Sequence, residues 1–311
     1  MHAITCHLIV LVALGAPTDN AAAGLENEIK YALQQAAESE FTGTITFDVR
    51  RHGFDAAGKS RWHPRQSWMI TTGPGGQLRT EHTVQNSQSQ PWIVARSDDT
   101  KWMLQGGRIV IRNGHATGEK NDMQGVFMVM DNLLDNAAYY SSLLRGIPHL
   151  HGELRVVDTD PAHPVAVATY AGRETRYAFT RVDGTLQLAS REYSADNHDH
   201  RWTYSEYTHA GPNCHPTVVE YVTIPRDNAA PLAEYTNIKL CPATEDDPLA
   251  ANTFRVPTTD NAIAEHVELY DFYFADGKNI KVTNPSLNAD RLSELLGLLN
   301  PEITTASADM P

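Results

Sequence analysis

Two His-x-His pairs are the residues of this chain whose type and spacing come closest to metal chemistry. Alternation along a strand would point both imidazoles of His149 and His151, or of His198 and His200, to one side. A zinc site needs three or four protein ligands, and neither pair has a further ligand at a suitable spacing. For the second pair, which lies between two predicted strands, we expect a solvated polar turn instead. We therefore predict no metal site and no cofactor.

Other short motifs of catalytic chemistry are missing from the sequence or have a simpler interpretation. Neither a Gly-x-Ser-x-Gly nucleophile elbow nor a His-Glu-x-x-His zinc motif occurs. The glycine-rich run 73–76 precedes a predicted strand, so it is interpreted as a turn rather than a phosphate site at a helix N-terminus. The acidic run 245–247 lacks the spacing of a calcium loop. A non-enzymatic function is favoured, and a secreted hydrolase that uses scattered carboxylates or the histidine pairs is the alternative.

The composition excludes several classes of partner. The chain has 311 residues, 41% of them hydrophobic and 20% charged, which is typical of a folded globular protein. Its formal net charge is −13, and acidic and basic residues are interspersed along the chain. Binding to polyphosphates needs clustered lysines and arginines, so we expect neither nucleic acid nor an anionic membrane surface as a partner.

The N-terminus is typical of a secretory signal peptide, which we assign to residues 1–23. Residues 8–16 form an unbroken apolar stretch, and the small residues 21–23 precede Gly24, although the segment before the stretch has no Lys or Arg. The stretch is shorter than the ~20 residues that span a bilayer, and the mature chain has no other candidate transmembrane segment. Cleavage after Ala23 would remove Cys6 and release the protein into the periplasm or the extracellular space.

The two cysteines of the mature chain are predicted to form a disulfide. Residues 217–223 and 234–240 are predicted strands, and Pro225 to Pro231 is the predicted turn between them. If these strands pair antiparallel, Cys214 lies opposite Cys241 at the short separation that a disulfide requires. Export would supply an oxidising compartment. Two buried free thiols are the alternative.

The rest of the pattern is mostly strand-like, with three helices. Apolar residues recur at helical spacing from Leu25, over 126–144, and from Leu292 to Leu299. The predicted fold class is mainly β (α+β): a strongly curved antiparallel sheet or incomplete β-barrel with helices packed on its concave apolar face. One such domain spans 24–283, and a short amphipathic helix with a disordered tail spans 284–311. The predicted strands are 44–50, 66–72, 77–84, 92–96, 101–105, 108–112, 153–158, 165–170, 175–181, 185–192, 201–207, 217–223, 234–240 and 267–274.

Two apolar sets of residues are predicted to face each other in the interior. Strand parity places one set on a continuous sheet face, and the middle helix is apolar nearly all round in its first turns. Methionine adapts its shape and is frequent at promiscuous binding surfaces, so the helix either lines a ligand-binding hollow or completes the core. The sheet set is Trp68, Ile70, Leu78, Trp92, Val94, Trp102 and Leu104, followed by Ile109 and Ile111, and the helix set is Phe127, Met130, Leu133 and Leu134.

The order of these parts resembles the periplasmic lipoprotein-carrier superfamily, which includes the outer-membrane lipoprotein-sorting carriers and the lipoprotein-sensing domain of sigma-factor regulators. The similar segments are the opening helix leading into 41–47, the strand 76–81, the hairpin 97–102, the middle helix and the element 254–257. The resemblance implies a curved, incomplete barrel that is lidded by helices and holds acyl chains, with an arginine of the sheet tied to the lid. Arg79 is the position that would take this role, although its parity is opposite to that of Leu78.

The resemblance thus implies a periplasmic, non-enzymatic carrier. Its ligand would be an acyl chain or another hydrophobic, lipid-like molecule, with lipoproteins among the candidates. An envelope-stress sensor or a structural interaction domain is the alternative. The chain is longer than a minimal carrier, and its extra C-terminal part has no counterpart that the resemblance assigns.

Overall fold

The computed structural model describes most of the chain as two β-sheets and three helices. The predicted fold class, a mainly β protein with helices packed on a curved, incompletely closed sheet, is confirmed within this part of the chain. The described residues are 19–38, 41–54, 59–85, 90–114, 121–146, 153–170, 172–195, 197–210, 213–226, 233–250, 252–258 and 261–299.

The first sheet combines strands from the beginning and the end of the chain. Its strands pair antiparallel except for β15, which lies parallel to β7. A parallel neighbour needs a long connection, and here that connection contains the whole second sheet. In spatial order the strands are β14 (Ala233–Pro242), β1 (Gly43–Phe54), β3 (Gln66–Thr72), β4 (Leu78–Val84), β5 (Trp92–Ser97), β6 (Thr100–Gln105), β7 (Arg108–Asn113), β15 (Leu269–Tyr273) and β16 (Asn279–Thr283), with β2 (Ser60–Trp62) paired to the end of β1.

The second sheet is an antiparallel meander in which consecutive strands are neighbours. Tight turns make this order possible, and Asp183 and Gly184 both take the positive φ that a two-residue hairpin turn requires. In spatial order the strands are β13 (Asn213–Pro225), β12 (His198–Ala210), β11 (Thr185–Ala195), β10 (Arg173–Val182), β9 (Val165–Tyr170) and β8 (Glu153–Asp158).

Each of the first two helices packs on one sheet. The first helix, α1 (Asp19–Glu38), contacts β8 and β11, and Arg181 pairs with its Glu28 at 2.6 Å. The second, α2 (Asn121–Leu144), contacts β4 and β5. Because α1 extends across the expected cleavage position and residues 1–18 lie outside the described residues, the signal peptide stays a prediction. None of the helices described is both long and apolar enough to cross a membrane.

Two apolar cores result, one on each face of the first sheet. The larger core lies between the sheets and includes the buried residues of α1 and α2. The smaller core covers the opposite face of the first sheet and includes Leu292 and Leu295 of α3 (Ala289–Leu299). We call the face that meets α2 the concave face and the opposite one the convex face. Burial on both faces is uncommon for antiparallel strands.

The prediction of one continuous apolar face is wrong for β6 and β7. Trp102 and Leu104, with Ile109 and Ile111, lie in the core of the convex face, whereas Met103 points to the concave face. The registers agree with this, because Trp102 pairs with Ala95 and Leu104 with Ile93. Both parities of these strands are apolar since both faces are covered, and alternation then does not identify the inner face.

The predicted disulfide is not formed, and Cys214 and Cys241 are free thiols. The hairpin on which it depended is wrong, because β13 pairs with β12 while β14 pairs with β1. Cys214 therefore lies opposite His209, and Cys241 opposite Thr44. The segment after Pro225 connects two sheets rather than two paired strands. The other predicted strands coincide with observed ones to within a few residues, whereas β2 and β16 were not predicted.

Candidate ligand-binding site under helix α2

The concave face of the first sheet presents side chains in three rows. Cross-strand partners point to the same face, and successive rows lie two residues, or ~7 Å, apart along the strands. The rows change from charged to aliphatic to aromatic along the strand direction. The outer row contains Leu78, Arg96, Lys101, Arg112 and Tyr273; the middle row Ile45, Ile70, Thr80, Val94, Met103, Val110 and Asp271; and the inner row Phe47, Trp68, His82 and Trp92. Asp271 is the charged exception in the middle row, where it is buried and paired with Arg108.

Helix α2 lies across these rows and covers them. Near its beginning, the Phe127 ring meets Tyr273 edge-on at 5.2 Å between centroids. Near its end, the Tyr140 ring lies 5.3 Å from Trp68 and 5.0 Å from Phe47. The helix therefore crosses the strands from β15 to β1. Its buried residues are Phe127, Met130, Leu133, Leu134, Ala137, Tyr140, Ser141, Leu143 and Leu144.

An ion-pair group, which we call the latch, ties α2 to the outer row. Asp131 accepts hydrogen bonds from Lys101 Nζ at 2.6 Å and from Arg112 Nη1 at 3.0 Å. The Asp131 side chain is 38% exposed and Lys101 is 32% exposed, so water reaches the pair. The Arg112 guanidinium also lies over the Phe127 ring, 5.0 Å from its centroid. Lys101 and Arg112 of the outer row thus bind the first half of α2 through contacts that are partly exposed to solvent.

The second half of α2 is held by hydrogen bonds to tyrosines. Arg51 of β1 donates to the Tyr140 hydroxyl, and Tyr204 of β12 donates to the Leu143 carbonyl at 2.9 Å. Burial raises the pKa of Tyr140, although the nearby Arg51 acts in the opposite direction. Both hydroxyls therefore stay protonated at neutral pH and serve as hydrogen-bond groups.

The interface between α2 and the sheet contains polar atoms without partners. Trp68 Nε1, Thr80 Oγ1, His82 Nε2 and Ser141 Oγ are buried and have no hydrogen-bond partner among the described residues. Each such atom costs about 1–3 kcal/mol. Burial also lowers the pKa of His82, which keeps its imidazole neutral. The closed position of α2 is thus less favourable than a fully apolar contact would be.

An aromatic seam extends the inner row towards the second sheet. Tyr235 lies 5.0 Å from Tyr221 and 4.9 Å from Trp202, and His200 stacks on Tyr193 at 4.7 Å. His200 Nδ1 is 2.6 Å from the Tyr221 hydroxyl. Burial raises the pKa of Tyr193 to about 12. The seam supplies flat apolar surface with polar groups at its edges.

Of the two histidine pairs, the structure describes only His198 and His200. His198 and His200 are both buried, with ring centroids 6.1 Å apart, but no group of three or more metal-ligating residues was found there. The expected polar turn is wrong for this pair, because both residues belong to β12 and point inwards. His149 and His151 lie outside the described residues.

The convex face is covered by a segment that we call the strap, residues 252–258. Three side chains of the sheet donate to its backbone carbonyls: Arg79 to Thr253 at 3.4 Å, Trp102 to Phe254 at 3.0 Å and Tyr270 to Pro257 at 2.9 Å. The Phe254 ring sits so close to Gly73 that a Cβ there would be 2.5 Å from it. A cleft of about 470 Å³ lies beside the strap, lined by Asn252, Arg255, Val256, Pro257, Thr258 and Asn261.

The structure thus separates the residues that the sequence grouped together. Arg79 contacts Glu81 at 2.5 Å and the strap, on the face away from α2. The sheet arginines that reach the helix are Arg51 and Arg112. Trp102 and Leu104 belong to the convex face. The predicted residues that lie around the concave face are Trp68, Ile70, Leu78, Trp92, Val94, Phe127, Met130, Leu133 and Leu134, and all but the half-buried Trp92 are buried.

The latch was not identified from the sequence. Asp131 interrupts an otherwise apolar run of the middle helix, and a carboxylate in such a place signals a cationic partner. Lys101 and Arg112 lie on different strands, and only the register brings them into one row. The sequence therefore indicates that Asp131 needs a cationic partner, but it does not indicate that Lys101 and Arg112 are those partners.

Comparisons with known proteins give little further information. No family model matches the sequence, and no curated protein matches it. Among solved structures, the chain is similar to a domain assigned provisionally to outer membrane lipoprotein sorting, from Vibrio parahaemolyticus. The TM-score is 0.31 at 8% identity, and the similarity covers 73% of this chain and 94% of that chain. This similarity is too low to assign a fold or a function.

Proposed function

We propose that this protein is an exported, non-enzymatic binding protein that holds an acyl chain or another hydrophobic ligand on the concave face of the first sheet. Helix α2 is the movable cover of that face. The observation that carries the proposal is the way α2 is held, with a water-accessible latch at one end and unpaired buried polar atoms beneath it. These polar contacts therefore add little to the cost of opening the cover, which is set by the apolar surface that a ligand has to replace.

The first half of α2 has the residues expected of a cover that moves. Met128 is 60% exposed, and Val126 and Val129 are only half-buried. Met130 faces the sheet, and its unbranched, polarisable side chain packs against surfaces of different shape. An acyl chain that replaced this half of the helix would meet the aliphatic middle row and then the aromatic inner row.

A structural domain is the second candidate function, and the burial of α2 favours it. Met130, Ala137 and Leu144 are completely buried, as expected of a helix that permanently completes a core. In that case α2 stays on the sheet under all conditions. The two candidates differ in whether a hydrophobic molecule displaces the helix.

The test is a binding experiment on the delipidated full chain. An uncharged apolar fluorophore, 1-N-phenylnaphthylamine, is titrated into the protein, and the lipid extract of the untreated protein is examined by mass spectrometry. We expect saturable binding, together with faster amide hydrogen exchange in residues 126–144 but not in the strap. Absence of both a co-purified lipid and saturable binding contradicts the proposal. Binding without any change in the exchange of α2 contradicts the role of the helix.

A further inference from the structure

We infer that the ligand carries an anionic headgroup, which the outer row binds in place of the Asp131 carboxylate. The inference rests on the proposed binding function and specifies its ligand class: a long-chain amphiphile ending in a carboxylate or a phosphate. The basis is the charge of the outer row and its position next to the apolar rows.

The outer row carries more positive charge than the described contacts neutralise. Arg96, Lys101 and Arg112 come from three successive strands, and Asp131 is the one carboxylate paired with them in the part of the chain described, which leaves an excess of two charges. Arg96 instead donates to the Gly76 carbonyl at 3.2 Å. The chain as a whole has a net charge of −13, so this row is a local exception. Such an excess attracts an anion.

The latch shows how an anion would be bound. The two oxygens of Asp131 take hydrogen bonds from an ammonium and a guanidinium, which is the charge-assisted geometry that suits a carboxylate or a phosphate. Since the Asp131 and Lys101 side chains are partly exposed, water screens these pairs, and a ligand anion that makes the same hydrogen bonds competes with Asp131. The Asp131 carboxylate occupies the place of the ligand headgroup in the closed molecule.

The order of the rows matches the order of groups in an amphiphile. A headgroup at Lys101 and Arg112 places the first carbons of its chain over Met103 and Val110, one row or ~7 Å further along the strands. The rest of the chain then reaches Trp68 and the other residues of the inner row. Release of Asp131 also frees Phe127, since Arg112 contacts both residues. Headgroup binding and opening of α2 are thus coupled through the latch.

The test compares three ligands with the same sixteen-carbon chain: hexadecanoate, hexadecyl phosphate and hexadecanol. Each displaces 1-N-phenylnaphthylamine from the full chain below its critical micelle concentration. We expect the anions to bind at least about tenfold more tightly than the alcohol, because charge-assisted hydrogen bonds form only with them. This ratio should fall as salt is added, since the outer row is partly exposed. A difference between the two anions identifies the preferred headgroup.

Variants of the latch make the test specific. The double variant Lys101→Gln, Arg112→Gln should bring the ratio of alcohol to hexadecanoate dissociation constants to about one, whereas Asp131→Asn should increase it because the cations lose their internal competitor. Lys239→Gln, an exposed lysine of β14, removes one positive charge away from the row and should leave the ratio unchanged.

The outcomes separate this inference from the binding function itself. If the fluorophore and hexadecanol bind but neither anion has an advantage, the binding function stands and the headgroup site is refuted. An advantage that survives in the double variant also refutes it. If neither the fluorophore nor any of the three ligands binds, the proposed function fails together with the inference.

Discussion

The first sheet has two covers, and they are attached in different ways. On the convex face, Trp102 and Tyr270 donate buried hydrogen bonds to the backbone of the strap, and α3 adds Leu292 and Leu295. On the concave face, the Asp131 ion pairs that tie the first half of α2 are partly exposed to water, whereas the second half receives a buried hydrogen bond from Tyr204 to the Leu143 carbonyl. Because a buried backbone carbonyl that loses its donor is costly, the convex cover is fixed. The first half of the concave cover has contacts that water or a ligand can replace.

The largest expected effect comes from two neighbouring residues of β6 that point to opposite covers. Met103→Ala and Leu104→Ala should each lower the free energy of unfolding by about 2–5 kcal/mol, because each leaves a cavity in a packed core. Only Met103→Ala should change the affinity for 1-N-phenylnaphthylamine. Urea unfolding and fluorophore titration measure the two effects. Equal effects of both variants on binding would contradict the assignment of the ligand to the concave face.

Acid should lower the free energy of unfolding through His215, a buried histidine near Arg145 at the end of α2. Burial, reinforced by the nearby Arg145, lowers the pKa of His215 from 6.5 to about 4. The unfolded chain therefore binds a proton that the folded chain does not, and up to about 3 kcal/mol of stability is lost as the pH falls from about 6.5 to 4.

Urea unfolding at pH 7 and at pH 4.5 measures this loss, and His215→Gln provides the control. The variant should lose much less stability between the two pH values than the natural chain does. An unchanged pH dependence in the variant would show that other groups are responsible.

Substitution of one tryptophan on each face tests how much the polar contacts of the two covers contribute to stability. Trp102 Nε1 on the convex face donates to the Phe254 carbonyl, whereas Trp68 Nε1 on the concave face has no partner among the described residues. Trp102→Phe should therefore cost about 1–3 kcal/mol more in free energy of unfolding than Trp68→Phe, because it leaves a buried carbonyl unpaired. Denaturant unfolding of both variants tests this difference. A larger loss for Trp68→Phe would reverse the comparison.

The smallest expected effect concerns the latch in the absence of ligand. Asp131→Asn should lower the free energy of unfolding by only about 1 kcal/mol, because the Asp131 side chain is partly exposed and the asparagine amide still accepts a hydrogen bond. Amide hydrogen exchange in α2 should nevertheless become faster. Glu294→Gln breaks a more exposed pair with Arg291 on α3 and should leave the exchange of α2 unchanged. If the amide hydrogens of α2 exchanged at the same rate in both variants, the Asp131 ion pairs would not be what holds α2 on the sheet.

Much of the fold could be predicted from local patterns. The strand 66–72 and the strands 153–158 and 165–170 were predicted with their observed bounds, because turn residues and short apolar runs delimit them clearly. The helices were predicted because their apolar stripes repeat at helical spacing. These properties depend on neighbouring residues alone.

Properties that depend on distant pairing could not be predicted. The parity of β6 is ambiguous because Met103 and its neighbours are apolar on both sides, and only the covers decide which side faces which core. The disulfide prediction failed because a proline-containing turn signal does not reveal that Pro225 precedes a connection between sheets. The charged row is invisible in the sequence, since Arg96 and Arg112 become neighbours only through β6.

The pairing of β1 with β14 and of β7 with β15 has a consequence for the order in which the chain folds. Gly43 pairs with Pro242, and Arg108 with Leu269, so the first sheet gains both of these neighbours only when nearly the whole chain is available. Contacts between residues so far apart in the sequence slow folding, because the chain loses the entropy of closing a long loop before the contacts can stabilise it. Until then Trp102 and the other apolar residues of the convex face remain uncovered in the nascent chain. Such exposed apolar strands aggregate readily, so we expect the chain to need protection by a chaperone until the strap, β15 and α3 have been made.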